Sequence, residues 1–370
     1  MKICCFFIGR TDCQPILKNK VDNQFFPIYT KRNQQNYYVR DKIMSSKSNI
    51  LQILEKNRGT YVSGEELAQQ LQISRSAIWK AISELKKEGY QIISVTNKGY
   101  CLSDETDVIS AEGIGPYLTN GSQDMIHVFK TVDSTNLVAK KMALEQAPHG
   151  TVVLAEEQTA GRGRMGRSFH SPAGSGIYMS FILRPNLTSN DAVLITTAAS
   201  VAVARAIEEV THIRTGIKWV NDVYMNGKKI CGILTEALTD FESGGIESII
   251  LGIGINFSTA VSSFPENIQQ KVDSLFHEKP AGITRNQIAA AVINHVLCLC
   301  NQLQDRSFIA EYKARSIVLG KDIEVIQGTN SEKATAIDID ENGGLMIEKQ
   351  DGTITSLHSG EISIRGNFAS

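Results

Sequence analysis

Residues 161–167, GRGRMGR, place three glycines and three arginines within seven positions. Glycine allows the backbone to approach a bound group closely, and arginine offers a planar, permanently charged set of donors that suits phosphate oxygens. This composition predicts a loop that folds over an anionic ligand and becomes ordered when that ligand arrives. Rigid geometry alone does not bring Arg162, Arg164 and Arg167 to face one small site, so we expect the loop to move.

Other interpretations of this loop fit less well. Gly161, Gly163 and Gly166 match the G-x-G-x-x-G spacing of a dinucleotide-binding turn, but that turn requires a helix directly after the third glycine. Here RSFHSPAGSG follows, and its proline and glycines predict neither a helix nor a βαβ unit. A kinase glycine loop is disfavoured because no H-R-D-x-x-x-x-N or D-F-G follows. A solvated, RGG-like loop that touches nucleic acid remains an alternative.

A second polar group lies in residues 217–236, IKWVNDVYMNGKKICGILTE. The residues expected to end one strand are Lys218, Trp219, Asn221 and Asp222. Asn226-Gly227 predicts a tight turn, and Lys229 begins a further strand that leads to Gly232. A lysine at this place can aim its ammonium group into a pocket. The alternative is that Lys228 and Lys229 only keep the edge of a hairpin soluble.

Composition limits the class of protein. A chain of 370 residues favours two or three domains, and 42% hydrophobic with 21% charged residues is ordinary for a soluble globular protein. The net charge of −1 gives no whole-chain argument for a nucleic-acid or membrane partner, so anion binding has to be local. No apolar run reaches the ~20 residues that span a bilayer.

Cysteine and histidine usage argues against a disulfide frame and a metal site. The seven cysteines are an odd number without a C-x-x-C pair, which predicts reduced thiols in a cytoplasmic protein. None of the seven histidines is spaced as part of a metal-ligand set. We therefore predict no metal site built by the protein alone.

The first 44 residues differ from the rest of the chain. MKICCFFIGR has only a short apolar stretch and no clear cleavage site, so it does not predict a secretory signal. Residues 11–43 are polar, rich in Asn and Gln, and without a period. We predict that residues 1–44 are a disordered extension, or translated upstream sequence with Met44 as the start.

Residues 48–103 predict a winged helix-turn-helix domain. The first helix has an apolar stripe made of Ile50, Ile53 and Leu54. Ser63 with Glu66 predicts the capped start of a second helix, and Ser74 is expected to cap a third. The buried face of the third helix comprises Ile78, Ala81, Ile82 and Leu85. QIISVTNKGYCLS then predicts a hairpin, the wing.

The third helix of such a domain lies in the DNA major groove. The predicted DNA contacts are Ser74, Arg75, Ser76 and Lys80 on this helix and Lys98 at the wing. Trp79 lies off the main apolar stripe, so it fits a core edge or a DNA contact equally well. A protein-interaction domain is the alternative, because winged helices also serve that role.

Residues 110–315 predict a central domain in which strands often follow each other without an intervening helix. The expected strands are 125–132, 151–157, 176–183, 215–219, 229–238 and 246–256, and the longer helices are 189–211 and 284–304. This order favours a mixed or largely antiparallel sheet with packed helices. Residues 316–368 show alternating patterns separated by Asn342-Gly343 and Asp351-Gly352, which predict a small SH3-like β-barrel. The expected fold class is α+β.

Five segments of the central domain occur in the order DSTN, EEQTAGRGRMGRSFHSP, KWVND, GKKICGILTE and LGIGINF. With the winged helix before them and GEISIRG near the end, they resemble the bifunctional biotin protein ligases that also repress the biotin operon, the biotin–[acetyl-CoA-carboxylase] ligases. The resemblance covers residues 48–368 and implies a class II synthetase-like central fold. The arginine–glycine loop followed by K-W-x-N-D is a highly specific combination.

The resemblance implies two chemical steps in the cytoplasm. The biotin carboxylate attacks the α-phosphate of ATP, with Mg²⁺ present, to give biotinyl-5′-AMP and pyrophosphate. A lysine amine of the biotin carboxyl carrier protein of acetyl-CoA carboxylase then attacks the acyl carbon and releases AMP. The adenylate is also expected to stabilise a homodimer that binds operator DNA of the biotin genes, without any membrane partner.

The resemblance also implies roles for the matching residues. Biotin is expected to contact Ser134, Thr135, Asn136, Gln158 and Gly232. The adenylate is expected to contact Arg162, Gly163 and Arg164, and the nucleotide, metal or incoming lysine to contact Asn221 and Asp222. Arg164 and Lys229 are the predicted catalytic residues, with Lys229 at the biotin carboxylate and α-phosphate.

Two positions depart from the family pattern. Phe169 stands where the family often has a tryptophan that covers the adenine, and a phenyl ring stacks with less area. Val220 replaces the proline of K-W-P-N-D, for which we expect a minor effect.

Two other functions stay open. One is a non-catalytic regulator that senses biotin, against which the intact Lys229 argues. The other is a ligase for lipoate or octanoate, and the DNA-binding domain and GRGRMGR favour biotin over these acids.

Overall fold

The structure, a computed structural model, describes residues 45–119, 123–184, 192–239, 245–327 and 330–364. The predicted extension over residues 1–44 lies outside these ranges, as do residues 189–191 of one predicted helix and 365–368 of the predicted C-terminal barrel. Within the described ranges, no helix is both long and apolar enough to cross a membrane.

The N-terminal part forms the predicted winged helix-turn-helix arrangement. Its elements are α1 (Ser46–Lys56), α2 (Gly64–Leu71), α3 (Arg75–Lys87), β1 (Ile92–Val95) and β2 (Gly99–Leu102). As predicted, the Ser63 and Ser74 side chains accept hydrogen bonds from backbone N–H groups in the first turns of α2 and α3. The predicted stripe of α3 is buried in a core of its own with Leu54 and Leu67. β1 and β2 form the antiparallel wing.

This domain is fastened to the short helix α4 (Ala111–Ile114) that follows it. The Ser48 hydroxyl donates to the Glu112 carboxylate, and Gln52 Nε2 donates to Gln123 Oε1 at 3.2 Å. Arg58 donates to the Thr106 carbonyl at 2.8 Å. The segment that joins the two domains is therefore held at several points along its length.

Arg285, which is 2% exposed, is the centre of this attachment. Its guanidinium donates to Asp107 Oδ2 at 3.0 Å and to Glu156 Oε2 at 2.7 Å. Glu156 also accepts from the Ile109 N–H at 2.9 Å. Burial disfavours the charge, but the two carboxylates outweigh it and raise the pKa of Arg285 above its usual value. This buried ion network thus holds the linker against the central sheet.

The central domain is the predicted mixed sheet. Its strands are β3 (Ile126–Val132), β4 (Thr151–Gln158), β5 (Gly176–Leu183), β6 (Gly216–Lys218), β7 (Asp222–Met225), β8 (Lys228–Thr239) and β9 (Ile246–Asn256). The order in the sheet is β3-β4-β5-β9-β8-β7-β6, with a parallel β3–β4 pair and antiparallel pairs elsewhere.

Helices cover both faces of this sheet. The helices are α5 (Thr135–Leu144), α6 (Ala192–Thr211), α7 (Arg285–Asn301) and α8 (Phe308–Arg315). α5 packs through Ala139 and Met142 on Val153, Ile182 and Ile250. α6 and α7 pack together in the larger core on the other side. Successive side chains of a strand point to opposite faces of the sheet, so the buried side chains of β4 and β5 belong alternately to the core under α5 and to the larger core under α6 and α7.

The C-terminal part is a five-stranded antiparallel sheet, as expected for a small SH3-like domain. Its strands are β10 (Asp322–Gln327), β11 (Asn330–Ile339), β12 (Leu345–Lys349), β13 (Ile354–Leu357) and β14 (Glu361–Ile364). Their order is β13-β12-β11-β10-β14. Its apolar residues join the larger core of the central domain, and the Trp219 indole N–H donates to the Gly343 carbonyl at 3.0 Å. The sheet is therefore packed directly against the K-W-V-N-D segment.

One local prediction is wrong. Asn221 and Asp222 do not end the strand that contains Lys218: the chain turns at residues 219–221, and Asp222 begins β7.

The connection between β4 and β5 has a defined backbone conformation. It contains a 3₁₀ turn over Arg164–Gly166 and an antiparallel bridge between Arg162 and Ser168. Met165 and Gly166 both have positive φ, which reverses the chain within two residues.

We expect Arg285→Met to lower the free energy of unfolding by about 3 to 5 kcal/mol, because two buried carboxylates lose their cation. Urea denaturation measures this loss. The control is Lys349→Met, which removes a half-exposed ion pair with Glu332 and should change stability little. If both variants unfold at the same urea concentration as the parent chain, the buried network does not hold the linker.

Candidate functional site

A cleft opens where the start of α5, the strands β4, β8 and β9, and the arginine loop meet. The predicted site residues that line it are Ser134, Thr135, Asn136, Gln158, Arg162, Gly163, Arg164, Phe169, Asn221, Lys229 and Gly232. Asp222 is not part of the lining but pairs with Lys229, as described below. The apolar lining comprises Met179, Ile233, Leu234 and Ile253.

One end of the cleft is a buried hydrogen-bond network. Gln158 Oε1 accepts from the Thr135 N–H at 2.8 Å, so this amide caps α5, whose N-cap residue Ser134 makes no capping hydrogen bond with its own side chain. Ser180 donates to Asn136 Oδ1 at 2.6 Å, and Asn136 Nδ2 donates to Glu236 Oε2 at 2.8 Å. The Asn136 and Gln158 side chains are therefore held in fixed orientations, which suits recognition of a neutral polar ring.

The floor of the cleft depends on glycine. A Cβ atom on Gly252 would lie 2.2 Å from Asn136 Oδ1, and a Cβ atom on Gly254 would lie 2.5 Å from the Phe169 ring. Phe169 packs on this floor and edge-on to Tyr178, with ring centroids 6.3 Å apart. The glycines of the GIGIN segment therefore allow close packing of the Asn136 and Phe169 side chains on the floor of the cleft.

The arginine loop crosses the cleft. The Gly163 N–H donates to the Arg167 carbonyl at 2.7 Å, which closes the loop on itself. Arg164 Nη1 donates to Asn221 Oδ1 at 2.8 Å, and its Nη2 donates to the Gly360 carbonyl of the C-terminal domain at 2.9 Å. Arg162 and Arg164 thus bring two cations to one wall of the cleft.

Arg167 turns away from the cleft to the C-terminal domain. It makes two parallel hydrogen bonds with the Glu361 carboxylate, at 2.8 and 2.6 Å. The hydrogen bond from Arg167 holds the pKa of Glu361 below its usual value. This ion pair therefore holds the loop against Glu361, the first residue of β14.

Lys229 supplies a third cation. Its Nζ lies 2.7 Å from Asp222 Oδ1, across the β7–β8 hairpin. The neighbouring Lys228 points elsewhere, with its Nζ 3.8 Å from Asp273 Oδ2. The interpretation as a soluble hairpin edge thus fits Lys228, while Lys229 lines the cleft.

Sequence reasoning missed several residues of the site. Ser180 and Glu236 orient Asn136, and Glu361 holds the loop, but strand residues with these roles carry no local motif. Lys218 also lies here: burial lowers its pKa, and its Nζ lies 5.9 Å from the centre of the Tyr224 ring. For Lys218 the sequence predicted only a position at the end of a strand.

The predicted DNA contacts lie together on the winged helix domain. Ser74 caps α3, and its hydroxyl lies 2.8 Å from that of Ser76. Arg75 forms an exposed ion pair with Glu65, and Lys98 lies over the Tyr61 ring. Lys80 and Trp79 are exposed, so Trp79 is not part of the core edge.

Three family models match successive parts of the chain. An HTH domain matches residues 47–101, the Biotin/lipoate A/B protein ligase family matches residues 128–256, and the Biotin protein ligase C terminal domain matches residues 318–365. The boundaries at 48–103, 110–315 and 316–368 stay predictions.

Two relatives match this chain over nearly their whole length. The bifunctional ligase/repressor BirA of Bacillus subtilis is 35% identical over 327 residues, which cover 86% of this chain and 98% of the relative. The protein of the same name from Escherichia coli is 30% identical, over 83% of this chain and 94% of the relative. Among solved structures, the biotin protein ligase of Aquifex aeolicus in complex with biotin and ATP is 28% identical with a TM-score of 0.56, over 65% of this chain and 99% of that one.

Fold and site together define an adenylate-forming ligase joined to a DNA-binding domain. The chain belongs to the family of bifunctional biotin ligases and biotin operon repressors.

Glu361→Gln should release the arginine loop, because an amide pairs more weakly with Arg167 than a carboxylate does. We expect trypsin to cut after Arg162, Arg164 or Arg167 up to about fivefold faster, the range of a partly exposed ion pair. Folding lowers the pKa of Glu361, so its ion pair with Arg167 contributes full stability above the pKa that Glu361 has in the unfolded chain. This contribution is lost as the pH falls through the pKa that Glu361 has in the folded chain.

Mass spectrometry of the fragments measures the cleavage. The control is Glu341→Gln, a highly exposed carboxylate of the same domain. Equal cleavage rates for the two variants would show that Glu361 does not hold the loop.

Proposed function

We propose that this chain joins biotin to AMP and then transfers the biotinyl group to a lysine of the biotin carboxyl carrier protein of acetyl-CoA carboxylase. We further propose that the adenylate-bound chain represses the biotin synthesis genes in the cytoplasm. The observation that carries the proposal is the convergence of Arg162, Arg164 and Lys229 on a cleft whose other end is a fixed polar network.

The polar network suits the ureido ring of biotin. This ring presents a carbonyl acceptor and two N–H donors, while its fused ring and side chain are apolar. Ser134, Thr135, Asn136 and Gln158 offer hydroxyl and amide groups at the start of α5, and Met179 with Ile253 offers an apolar wall. The glycines at 232 and 254 let the Lys229 and Phe169 side chains lie close against the floor of the cleft.

The first step brings two anions together, so it mainly requires positive charge that offsets their repulsion. An oxygen of the biotin carboxylate attacks the α-phosphorus of ATP, the bond from that phosphorus to the α,β-bridging oxygen breaks, and pyrophosphate leaves. Lys229 is proposed to lie between the carboxylate and the α-phosphate, and Arg162 and Arg164 to hold the phosphate that remains. Preorganised cations of this kind lower the barrier because they need no rearrangement as the charge moves.

Mg²⁺ is proposed to enter as part of the MgATP substrate. Mg²⁺ usually keeps several waters and binds phosphates with one or two carboxylates of the protein. Within the described ranges no group of three His, Cys, Asp or Glu residues could hold a metal ion. Asp222 is the carboxylate proposed to meet it, with Asn221 beside it.

The second step needs a protected acyl group and an open route for the partner. The carrier lysine attacks the acyl carbon as a free amine, an amide bond forms, AMP leaves and the amine loses its proton. Until then the mixed anhydride must be kept from water. The loop lies across the cleft and is latched at Gly360 and Glu361, so we propose that it protects the adenylate and that Phe169 packs near the adenine.

Repression is proposed to follow from the same loop. Two chains joined by a two-fold axis present two copies of α3 to a palindromic operator. An adenylate that orders the arginine loop would favour the homodimer, and the pinned linker at Arg285 would fix where each winged helix lies. DNA contacts are proposed for Ser74, Arg75, Ser76, Lys80 and Lys98.

The test uses the full chain, ATP, an apo carrier domain and radiolabelled biotin or lipoate. We expect biotin label on the carrier and little lipoate label. Lys229→Ala should slow adenylate formation by about 100-fold or more, because a charge at the reacting atoms is lost. Lys228→Ala is the matched control and should keep the parent rate.

Three outcomes would contradict the proposal. Transfer of lipoate in preference to biotin would make the chain a ligase for another acid. Biotin binding without any labelled carrier would make it a non-catalytic sensor. Equal rates for the Lys229 and Lys228 variants would remove Lys229 from the chemistry.

A further inference from the structure

Trp79 is a large apolar side chain in an unexpected place. The chain has two tryptophans. Trp219 is buried, whereas Trp79 is 67% exposed in the second turn of α3. Single exposed apolar residues are common, but an indole in the middle of a charged helix face exposes an unusually large area that a partner can cover.

The position of Trp79 on the helix points away from the domain core. The buried face of α3 is formed by Ile78, Ala81, Ile82 and Leu85. Residues four and seven positions apart share a face of a helix, so Trp79 is in line with Ser83 and Lys86. Lys86 Nζ donates to Ser94 Oγ of β1 at 2.9 Å. Trp79 therefore lies on the ridge of α3 that leads to the wing.

The charge around Trp79 favours nucleic acid as the partner. The helix RSAIWKAISELKK contains four basic residues and one acidic residue. Lys80 follows Trp79 directly, and Arg75 lies one turn before it. A protein partner of this face would need a strongly acidic surface, whereas DNA supplies its negative charge along its whole length.

We propose that Trp79 reads thymine in the major groove by packing its indole ring against the 5-methyl group of the base. The inference rests on the proposed DNA binding and adds a specific reader to it. The N-terminal half of a recognition helix meets base edges, and the thymine methyl is the apolar mark that the major groove offers. Lys80 and Arg75 would bind phosphates on either side.

The test begins with selection of duplexes from a random pool by the wild-type chain in the presence of biotin and ATP. The selected duplex is then made with thymine or with deoxyuracil, which lacks only the methyl group, at one position at a time. We expect one position at which the deoxyuracil duplex binds wild type about tenfold more weakly, a loss within the range of a single base change.

Trp79→Ala should bind the thymine duplex about tenfold more weakly than wild type and should no longer distinguish thymine from deoxyuracil. The matched control is Leu144→Ala, an exposed apolar residue at the end of α5, which should bind like wild type. Both variants should label the carrier domain with biotin at the parent rate, which shows that they fold.

Fluorescence gives an independent readout. Iodide should quench the fluorescence of exposed Trp79 in the free chain, and the selected duplex should protect it. Trp79→Phe provides the background from buried Trp219.

Unchanged affinity and unchanged thymine preference in Trp79→Ala would overturn the inference while DNA binding stands. Protection by the apo carrier domain in place of the duplex would overturn it in favour of a protein partner. Selection of no duplex would reject DNA binding itself, and the inference with it.

Discussion

The contacts of Arg164 and Arg167 with Asn221, Gly360 and Glu361 determine how this site can work. A glycine-rich loop has many conformations, so a cationic loop of this kind is useful only when a few strong contacts select one of them. Here two of those contacts, with Gly360 and Glu361, come from a different domain. The small C-terminal sheet therefore does more than complete the fold, because it holds the loop over the cleft.

A second constraint connects the cleft with the winged helix domain. Glu156 binds Arg285 and the linker, and two residues further along β4 Gln158 caps α5 at the polar end of the cleft. The polar end of the cleft and the attachment of the linker therefore share one short segment of β4.

The sequence predicted the elements that have a period or a cap, and it missed contacts between distant residues. The Ser63 and Ser74 caps, the apolar stripe of α3 and most strands follow local rules. The sequence separation between Arg167 and Glu361 is too great for any local rule. The hairpin at Asp222 was misjudged because the turn between its two short strands contains Trp219 and Val220, which are apolar, buried and carry no turn signal. The resemblance to the ligase family predicted the site residues, and the hydrogen bonds of the structure added Ser180, Glu236 and Glu361.

The central claim is that the loop's cations retain an acyl-adenylate until a partner amine arrives. The most direct measurement is the rate at which radiolabelled biotinyl-5′-AMP leaves the chain when no carrier is present. Replacing Arg162, Arg164 and Arg167 together by alanine should raise this rate by about 100-fold or more, since charge-assisted contacts to the phosphate are lost. If the variant melts at the parent temperature and releases the adenylate no faster than the parent chain, the claim is contradicted.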